Sequence, residues 1–393
     1  MSGAAGGGAA ANGAKARRAG DAVPGIDTNG AAPTGARAGP GVVIGLLGPT
    51  GVGKTAVGME LARRLVDRSA ADQAARWSSA PLALQPMSRP TGRVISCDSM
   101  QVYRGFSVLT NQPNAGETRA GETMAGVTRG VSHALVDFVD PMEKFSAVEY
   151  ARHARPLIGE DLASRGWALL VGGTGLYMRA ALAPLAAAVG DARLRARLEA
   201  RAAAEGPAVL HAELAELDPI AADAVDARNI RRVVRALEVV TLSGGSWSGR
   251  RDLWAPAYYH PTLVVGLVTQ REELYRRIDA RAARIVDGGA AEEVRRLRQE
   301  RGPERTRPGS GGICSAIGYP EICRYLGGQQ TRDETVAQVA AATRRYARRQ
   351  LTWLRKLGDA VIIEARERTP GDVAEEILAL VLSGEHTKGL HIP

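Results

Sequence analysis

The feature that most constrains the fold is a glycine-rich segment that follows a short apolar run. Residues 42–47 read Val-Val-Ile-Gly-Leu-Leu, and the next eight, from Gly48 to Thr55, read Gly-Pro-Thr-Gly-Val-Gly-Lys-Thr. These eight residues form a complete G-x-x-x-x-G-K-[ST] phosphate loop, and residues 56–66 after it have helical spacing. A strand, a glycine loop and a helix in this order surround an anion with backbone N–H groups and a helix N-terminus. The sequence therefore predicts a diphosphate or triphosphate site in an α/β fold.

Each residue of this loop is a candidate ligand-binding residue. Lys54 is one of only five lysines among 51 basic residues. Its compact ammonium fits inside a ring of backbone N–H groups, which a planar guanidinium does not. The hydroxyl of Thr55 is placed to ligate Mg²⁺, the predicted cofactor. The predicted residues that bind a diphosphate or nucleotide are Gly48, Pro49, Thr50, Gly51, Val52, Gly53, Lys54 and Thr55.

Length and composition limit the class of protein. The chain has 393 residues, of which 45% are hydrophobic, enough to bury a large core. No apolar stretch reaches membrane-spanning length. The three cysteines, Cys97, Cys314 and Cys323, are too few and too scattered for a disulfide framework or a zinc site. These features predict a cytoplasmic protein in a reducing compartment, with no membrane contact. The net charge of +9 fits a polyanionic partner.

Strand and helix patterns alternate along most of the chain. Apolar runs of strand length recur at residues 93–98, 168–173 and 263–268, each before a helix-like segment. This alternation predicts an α/β, P-loop NTPase-like core in which a parallel sheet has helices on both faces. The predicted domains are a disordered Gly/Ala-rich tail at 1–40, the first part of the core at 41–190, a helical insertion domain at 191–260, the second part of the core with basic helices at 261–365, and a C-terminal helix and tail at 366–393. Residues 69–92, rich in Ser, Ala and Pro, are predicted to be a surface insertion.

Two further segments lie at the carboxyl ends of predicted strands, where parallel sheets bind their ligands. Asp98 opens the segment Asp-Ser-Met-Gln-Val-Tyr. It is either the N-cap of a helix, or a metal partner or general base beside the phosphate loop. Gln101 offers a donor and an acceptor that suit the edge of a base. In a second glycine loop, Val-Gly-Gly-Thr-Gly at 171–175, Thr174 can hydrogen-bond a substrate.

Arginines cluster on two predicted helices. The first carries Arg231, Arg232 and Arg235, and the second carries Arg344, Arg345, Arg348, Arg349 and Arg355 with Tyr346 and Trp353 between them. Spacings of three and four place much of the second set on one face, where it can meet phosphates and stack on bases. A solvated amphipathic helix is the alternative. The absence of any Asp or Glu between Glu334 and Asp359 favours a nucleic acid partner.

These motifs, in this order, resemble the tRNA dimethylallyltransferase family, also called tRNA isopentenyltransferase. The matching blocks are GPTGVGKT, ISCDSMQVYRGF, HALVDFVDP, FSAVEYA, VGGTGLYMRAAL, RNIRRVVRALEV, SAIGYPEI and TRRYARRQLTWLRK, which run from about residue 42 to 357. The resemblance implies a P-loop core that holds dimethylallyl diphosphate and a helical insertion that clamps a tRNA anticodon stem-loop. It implies transfer of the prenyl group to N6 of adenosine 37, beside the anticodon, in tRNAs that read codons beginning with U.

The resemblance also assigns roles to residues. It implies that Asp98 engages the attacking amine and that Lys54 and Thr55 act with it in catalysis. The implied tRNA contacts are Asp98, Ser99, Met100, Gln101, Thr174, Arg195, Arg231, Arg232, Arg235, Arg348, Arg349, Gln350, Trp353 and Arg355. We expect a monomer. The chain departs from the family in three places: it has His133-Ala134 for His-His, Gly51-Val52 for Ala-Ser, and Leu-Thr-Asn-Gln-Pro at 109–113 for Gly-Thr-Ala-Lys-Pro.

Three other functions compete with this interpretation. A nucleotide kinase shares the loop and the parallel core, but it needs no RNA-sized basic surface. An adenylate isopentenyltransferase acts on a free nucleotide, for which the basic helix is of no use. A non-catalytic RNA-binding P-loop protein is disfavoured because Asp98, Lys54 and Thr55 are all present.

Overall fold

A parallel sheet forms the centre of the protein. The computed structural model describes residues 41–77, 92–113, 124–128, 131–184, 190–244 and 258–384. Within these residues the strands are β1 Val42–Leu47, β2 Gly92–Cys97, β3 Met124–Thr128, β4 Val131–Ala134, β5 Trp167–Gly172, β6 Thr262–Val268 and β7 Val361–Glu364. They form one seven-stranded sheet with the order β3-β4-β2-β5-β1-β6-β7, in which only β3 runs antiparallel. The predicted α/β class with a parallel sheet is confirmed.

Helices cover both faces of the sheet. Their bounds are α1 Lys54–Trp77, α2 Ala147–Arg165, α3 Gly175–Leu182, α4 Ala192–Glu205, α5 Pro207–Leu217, α6 Pro219–Ala224, α7 Ile230–Ser243, α8 Arg271–Asp287, α9 Ala290–Arg301, α10 Tyr319–Leu326, α11 Arg332–Leu354 and α12 Pro370–Ser383. Helices α1, α8, α11 and α12 pack on one face and α2 and α3 on the other. The central strands are rich in Val, Ile and Leu because both of their faces are buried. None of the described helices is long and apolar enough to cross a membrane.

The structure differs from the sequence predictions in several elements. The first helix continues to Trp77, into the segment predicted as an insertion from residue 69. Strands β3, β4 and β7 were not predicted, because runs of four or five residues carry too little periodicity to separate them from loops. The predicted disordered tail at 1–40 lies outside the described residues, as do 78–91 of the predicted insertion.

The predicted helical insertion contains helices α4 to α7. These helices enclose their own apolar cluster, in which Leu210, Leu214, Val233 and Leu237 are at most 1% exposed. Helix α7 is strongly amphipathic, with Val233, Val234, Leu237 and Val240 on its buried face. Its first turn carries Arg231 and Arg232, both exposed, on the solvent side. The insertion therefore has a core of its own and an arginine-bearing surface.

The order of the strands brings three loops together. Strand β5 lies between β2 and β1, and all three run parallel, so that the loops after them emerge at the same edge of the sheet. The ends of β2 and β5 approach closely: a Cβ atom at Gly172 would lie 2.0 Å from the carbonyl oxygen of Cys97. Only glycine fits at this point. The phosphate loop, Asp98 and the second glycine loop are therefore neighbours, as the sequence predicted.

Candidate active site

The phosphate loop joins β1 to α1. Gly51 and Gly53 have φ angles of 88° and 102°, which turn the chain tightly and which side chains with a Cβ atom rarely adopt. Helix α1 begins at Lys54 and has no acidic residue in its first turn. Its N-terminal N–H groups and its dipole therefore favour an anion at the loop. Thr55, in the same turn, is exposed toward the cleft described below.

Lys54 reaches back over the loop. Its Nζ donates a hydrogen bond of 2.8 Å to the carbonyl oxygen of Pro49. Burial lowers the pKa of Lys54 to about 8; the Asp98 carboxylate opposes this shift and Arg281 adds to it. The ammonium is thus partly desolvated. An anion bound in the loop would stabilise its charged form.

Asp98 follows β2 and lies at the edge of the same cleft. Residues 99–105 form turns rather than a helix, so the alternative role of N-cap is excluded. One carboxylate oxygen, Oδ1, accepts a hydrogen bond of 2.9 Å from the N–H of Met100. The Asp98 carboxylate also adds to burial in raising the pKa of Tyr346, on α11, to about 12. Asp98 is thus half-buried, oriented by a turn and close to Lys54, Arg281 and Tyr346.

The second glycine loop is tied to its neighbours. Thr174 Oγ1 accepts a hydrogen bond of 3.2 Å from the N–H of Ser99. The amide of Gln350, on α11, links this loop to the phosphate loop: it accepts 2.8 Å from Thr50 N and donates 2.9 Å to Gly173 O. Its side chain therefore joins three segments of the protein.

Three residues predicted to contact tRNA have contacts within the protein. Gln350 is 7% exposed and uses both ends of its amide within the protein, at odds with the prediction that it contacts tRNA. Trp353 packs on the second glycine loop, since a Cβ atom at Gly175 would lie 2.1 Å from its ring. Met100 packs against the apolar cluster around Phe106. All three predictions remain untested by any bound RNA, but the structure gives these residues roles in packing.

The three loops open into one cleft of about 430 Å³. Helix α8 forms its opposite wall with Arg277, Arg281 and Arg284, which the sequence analysis did not select. Burial lowers the pKa of Arg281, an effect that the Asp98 carboxylate opposes. The sequence did indicate that these three arginines share one helix face, because they are four and three residues apart. Arginines at such spacings occur throughout this chain, however, so this pattern did not single them out. The loop at 101–113 adds Gln101 and Asn111 to the lining.

A larger cavity, of about 730 Å³, lies between α8, the C-terminal half of α11 and β7. Its lining is mostly apolar, with Arg271, Arg348 and Arg355 among its residues. It contains neither the phosphate loop nor Asp98. The smaller cleft is therefore the candidate active site.

Three exposed arginines in the C-terminal half of α11 lack acidic partners in the described part of the chain. Arg345, Arg348 and Arg349 are exposed, and in the described part of the chain none of them forms an ion pair. Arg348 approaches the hydroxyl of Tyr275, and Arg349 lies 5.5 Å from the ring centroid of Tyr346. Arg355, just beyond the helix, is exposed as well. Arg344 pairs with Asp279 of α8, and Arg332, at the start of α11, pairs with Asp287 and Asp333.

Two of the arginines predicted to contact tRNA form ion pairs within the insertion. Arg195 of α4 and Arg235 of α7 both bind the carboxylate of Glu238, whose side chain is fully buried. Burial raises the pKa of Glu238, but the hydrogen bonds from Arg235, Arg195 and the N–H of Asp191 outweigh it, so the pKa is lowered. Arg195 and Arg235 thus neutralise a buried charge, whereas Arg231 and Arg232 remain exposed.

No protein cage for a metal ion is present among the described residues, because no three His, Cys, Asp or Glu side chains converge. The hydroxyl of Thr55 and the carboxylate of Asp98 nevertheless line the same cleft. This donor set suits Mg²⁺, which is commonly held by one or two protein oxygens together with phosphate oxygens and water.

Comparison with known proteins identifies the family. Residues 101–357 match the model of the IPP transferase family. The tRNA dimethylallyltransferase of Thermomicrobium roseum is 37% identical over 317 residues, which are 80% of this chain and 84% of that protein. The enzyme of the same name from Shouchella clausii is 37% identical over 83% of this chain and 92% of its own length.

Solved structures agree with these sequence relatives. The full-length tRNA isopentenylpyrophosphate transferase of Bacillus halodurans has a TM-score of 0.54 and 31% identity, over 88% of this chain and 98% of its own. A eukaryotic dimethylallyltransferase acting on tRNA has a TM-score of 0.65 at 23% identity, over 90% of this chain and 81% of its own, and shares the fold. The chain is a member of the IPP transferase family.

Proposed function

We propose that this protein is a tRNA dimethylallyltransferase. It transfers a dimethylallyl group from dimethylallyl diphosphate to N6 of adenosine 37, next to the anticodon, and releases diphosphate. Its substrates are tRNAs that read codons beginning with U. Family membership and the tRNA dimethylallyltransferase relatives support this reaction.

One observation of the structure carries the proposal. A single cleft is lined both by the phosphate loop and by the carboxylate of Asp98. Lys54, Thr55 and Asp98 line this cleft together with Arg277 and Arg281 of α8. This arrangement suits a reaction in which a diphosphate leaves as an amine loses a proton.

The chain's own groups account for each change of charge. In the reaction the C–O bond between the prenyl carbon and the diphosphate breaks, and the bond from N6 to that carbon forms. Lys54, Arg281 and the loop N–H groups stabilise the negative charge that collects on the leaving diphosphate. The exocyclic amine of adenine is a poor nucleophile in a stacked loop, so the base is flipped into the cleft. Asp98 accepts the proton that N6 loses.

We further propose that Mg²⁺ assists this reaction. Thr55 would hold the ion together with oxygens of the diphosphate, and the ion would supply further neutralisation of the leaving group. The loop residues Gly48, Pro49, Thr50, Gly51, Val52 and Gly53 would cradle the diphosphate with their backbone groups.

The remaining surface fits a tRNA partner. The exposed cations Arg231, Arg232, Arg348, Arg349 and Arg355 lie on the insertion and on or next to α11, and we propose that they contact the anticodon stem-loop. Ser99, Met100, Gln101 and Thr174 would lie near the acceptor base. All the groups used here come from one chain, so we propose a monomer. In keeping with a tRNA substrate, we propose a cytoplasmic location.

The proposal is tested by transfer to a defined RNA. Purified enzyme, dimethylallyl diphosphate and an anticodon stem-loop with adenosine at position 37 are incubated, and mass spectrometry of the nucleosides identifies the product. We expect prenylated adenosine at that position. The Asp98→Asn variant keeps an acceptor for the Met100 N–H but cannot take a proton, so kcat should fall by about 10²-fold or more. RNA affinity should stay within a few-fold.

The same assay separates the competing functions. Prenylation of free AMP but not of the stem-loop would identify an adenylate isopentenyltransferase. Formation of ADP from ATP with a nucleotide acceptor would identify a kinase. An Asp98→Asn variant with more than about a tenth of the wild-type kcat would show that Asp98 is not the proton acceptor.

A further inference from the structure

Asn111 is held in the candidate active site in an unusual backbone conformation. Its φ angle is 50°, in the left-handed region that residues with a Cβ atom seldom adopt, although Asn does so more readily than most. The residue is exposed and lines the cleft with Lys54 and Asp98. Its side-chain amide makes no hydrogen bond in the described part of the chain. A polar group is thus presented to the cleft with its donors and acceptor available.

The backbone at Asn111 is fixed from its own loop. Its N–H donates 3.1 Å to Val108 O, and its carbonyl accepts 3.0 Å from Gln101 Nε2. The next residue, Gln112, is 8% exposed and donates from Nε2 to the carbonyl oxygens of Gln101, at 3.0 Å, and Tyr103, at 2.9 Å. These hydrogen bonds therefore connect the start of the loop at 101–113 to its end.

Two distant helices hold the same loop from outside. Glu293 of α9 is 7% exposed, and its carboxylate accepts hydrogen bonds from Val108 N at 2.8 Å and Leu109 N at 2.9 Å. Burial raises the pKa of Glu293, and the bonds from the loop oppose this shift. Arg281 of α8 approaches the carbonyl oxygen of Thr110 at 3.4 Å. The surrounding residues thus hold Asn111 in a left-handed backbone conformation. Such a conformation, held in place at a cleft, indicates a function for the side chain.

We propose that Asn111 is a specificity-determining residue that reads the N6/N7 edge of the acceptor adenine. The inference rests on the proposed function. An Asn amide carries an acceptor and a donor side by side, and this pair matches the N6–H donor and N7 acceptor of adenine. The side-chain oxygen of Asn111, Oδ1, accepts a hydrogen bond from one hydrogen of N6, which leaves the other hydrogen for Asp98.

Gln101 cannot take this role in the same way. The sequence analysis selected it as a reader of a base edge, but its Oε1 accepts 3.0 Å from Ser96 Oγ and its Nε2 donates 3.0 Å to Asn111 O. Its acceptor is therefore already engaged, and its amide supports the loop instead. Asn111 is the neighbouring amide whose donor and acceptor both remain available.

The alternative role of Asn111 is conformational, since Asn is simply tolerated in a left-handed turn. The Asn111→Gly variant separates the two roles because glycine adopts this conformation without strain and has no amide. Wild type and variant are each assayed with two stem-loops that carry adenosine or 7-deazaadenosine at the acceptor position. The latter lacks the N7 acceptor. Thermal unfolding of both proteins checks that the fold is intact.

We expect wild type to prefer the adenosine RNA by about tenfold in kcat/KM, near the lower end of the discrimination by one bidentate contact. Asn111→Gly should use the two RNAs equally, and its kcat/KM for the adenosine RNA should fall by about tenfold. Its KM for dimethylallyl diphosphate should not change. The Asn111→Asp variant, which loses the donor to N7, should also lose the preference.

Four results would overturn the inference. A wild-type enzyme that uses both RNAs equally does not read N7. An Asn111→Gly variant that keeps the wild-type preference shows that Asn111 serves the turn alone, as does one that keeps kcat/KM within twofold. A wild-type enzyme that prenylates neither RNA would refute the proposed function itself, and the reading of adenine with it.

Discussion

The cleft and the exposed face of α11 are both rich in cations, but they differ in the environment of the charge. Lys54 and Arg281 are partly desolvated and close to Asp98, and burial lowers the pKa of each. Arg345, Arg348 and Arg349 are exposed and have no acidic partner in the described part of the chain. A desolvated cation interacts strongly with one bound anion, whereas a solvated one contributes a weaker, salt-dependent attraction to a polyanion.

A third set of cations shows why charge alone does not reveal a role. Arg195 and Arg235 resemble the α11 arginines in the sequence, but both bind the buried carboxylate of Glu238. Removing a cation should therefore affect the chemical step, RNA binding or folding, according to the set to which it belongs. Each of these outcomes can be measured.

The largest effect is expected for Lys54→Ala. Loss of a preorganised cation at the leaving diphosphate should lower kcat/KM for dimethylallyl diphosphate by about 10²- to 10³-fold. RNA affinity should stay within a few-fold, since this ammonium faces the phosphate loop. Steady-state kinetics and RNA titration measure the two quantities. Arg345→Ala removes one charge from the exposed face and is the matched control. If Lys54→Ala weakened RNA binding as much as donor binding, Lys54 would not differ from the cations on the exposed face of α11.

The lowered pKa of Lys54 predicts a loss of activity at alkaline pH. Only the charged ammonium attracts the diphosphate, and burial brings its pKa down to about 8 in the free enzyme. As the pH rises above this value, kcat/KM for the donor should fall by about tenfold per pH unit. Lys54→Arg, less active but charged throughout the range, should show no such fall. If kcat/KM falls at alkaline pH in both the wild type and Lys54→Arg, the titrating group is not Lys54.

A smaller effect is expected for the double variant Arg348→Ala/Arg349→Ala. It should weaken binding of all substrate tRNAs alike and reduce the slope of log K against log salt by up to about two units, because each lost phosphate contact releases roughly one counterion fewer. Donor binding should be unchanged. RNA titrations at several salt concentrations measure the slope. An unchanged slope with unchanged affinity would show that this face is only solvated.

The smallest effect on RNA binding is expected for Arg195→Ala/Arg235→Ala, which removes the same number of charges. Its salt slope should change little, but the free energy of unfolding should fall by about 1–3 kcal/mol because the buried Glu238 carboxylate loses its charged partners. Chemical denaturation measures this loss. Adding Glu238→Gln should restore part of the stability. A slope reduced as much as in the α11 variant would show that Arg195 and Arg235 contact RNA, as the sequence predicted.

Local sequence patterns were sufficient to predict the centre of the fold and part of the site. The strands β1, β2, β5 and β6 are continuous apolar runs because both faces of the sheet are covered. The phosphate loop has a motif fixed by backbone conformation, and Asp98 and Thr174 directly follow strands that end at the same edge. Each of these features depends on residues adjacent in the chain.

Tertiary structure alone decided how distant residues are combined. Glu238 neutralises Arg195 across 43 positions, Glu293 holds the loop of Asn111 from another helix, and Gln350 joins two loops near the start and middle of the chain. Such contacts between residues far apart in sequence leave no periodicity or spacing to detect. The sequence by itself therefore determined the fold, the phosphate-loop motif and the family, whereas packing between elements decided which charges line the cleft, which are exposed and which form ion pairs within the protein.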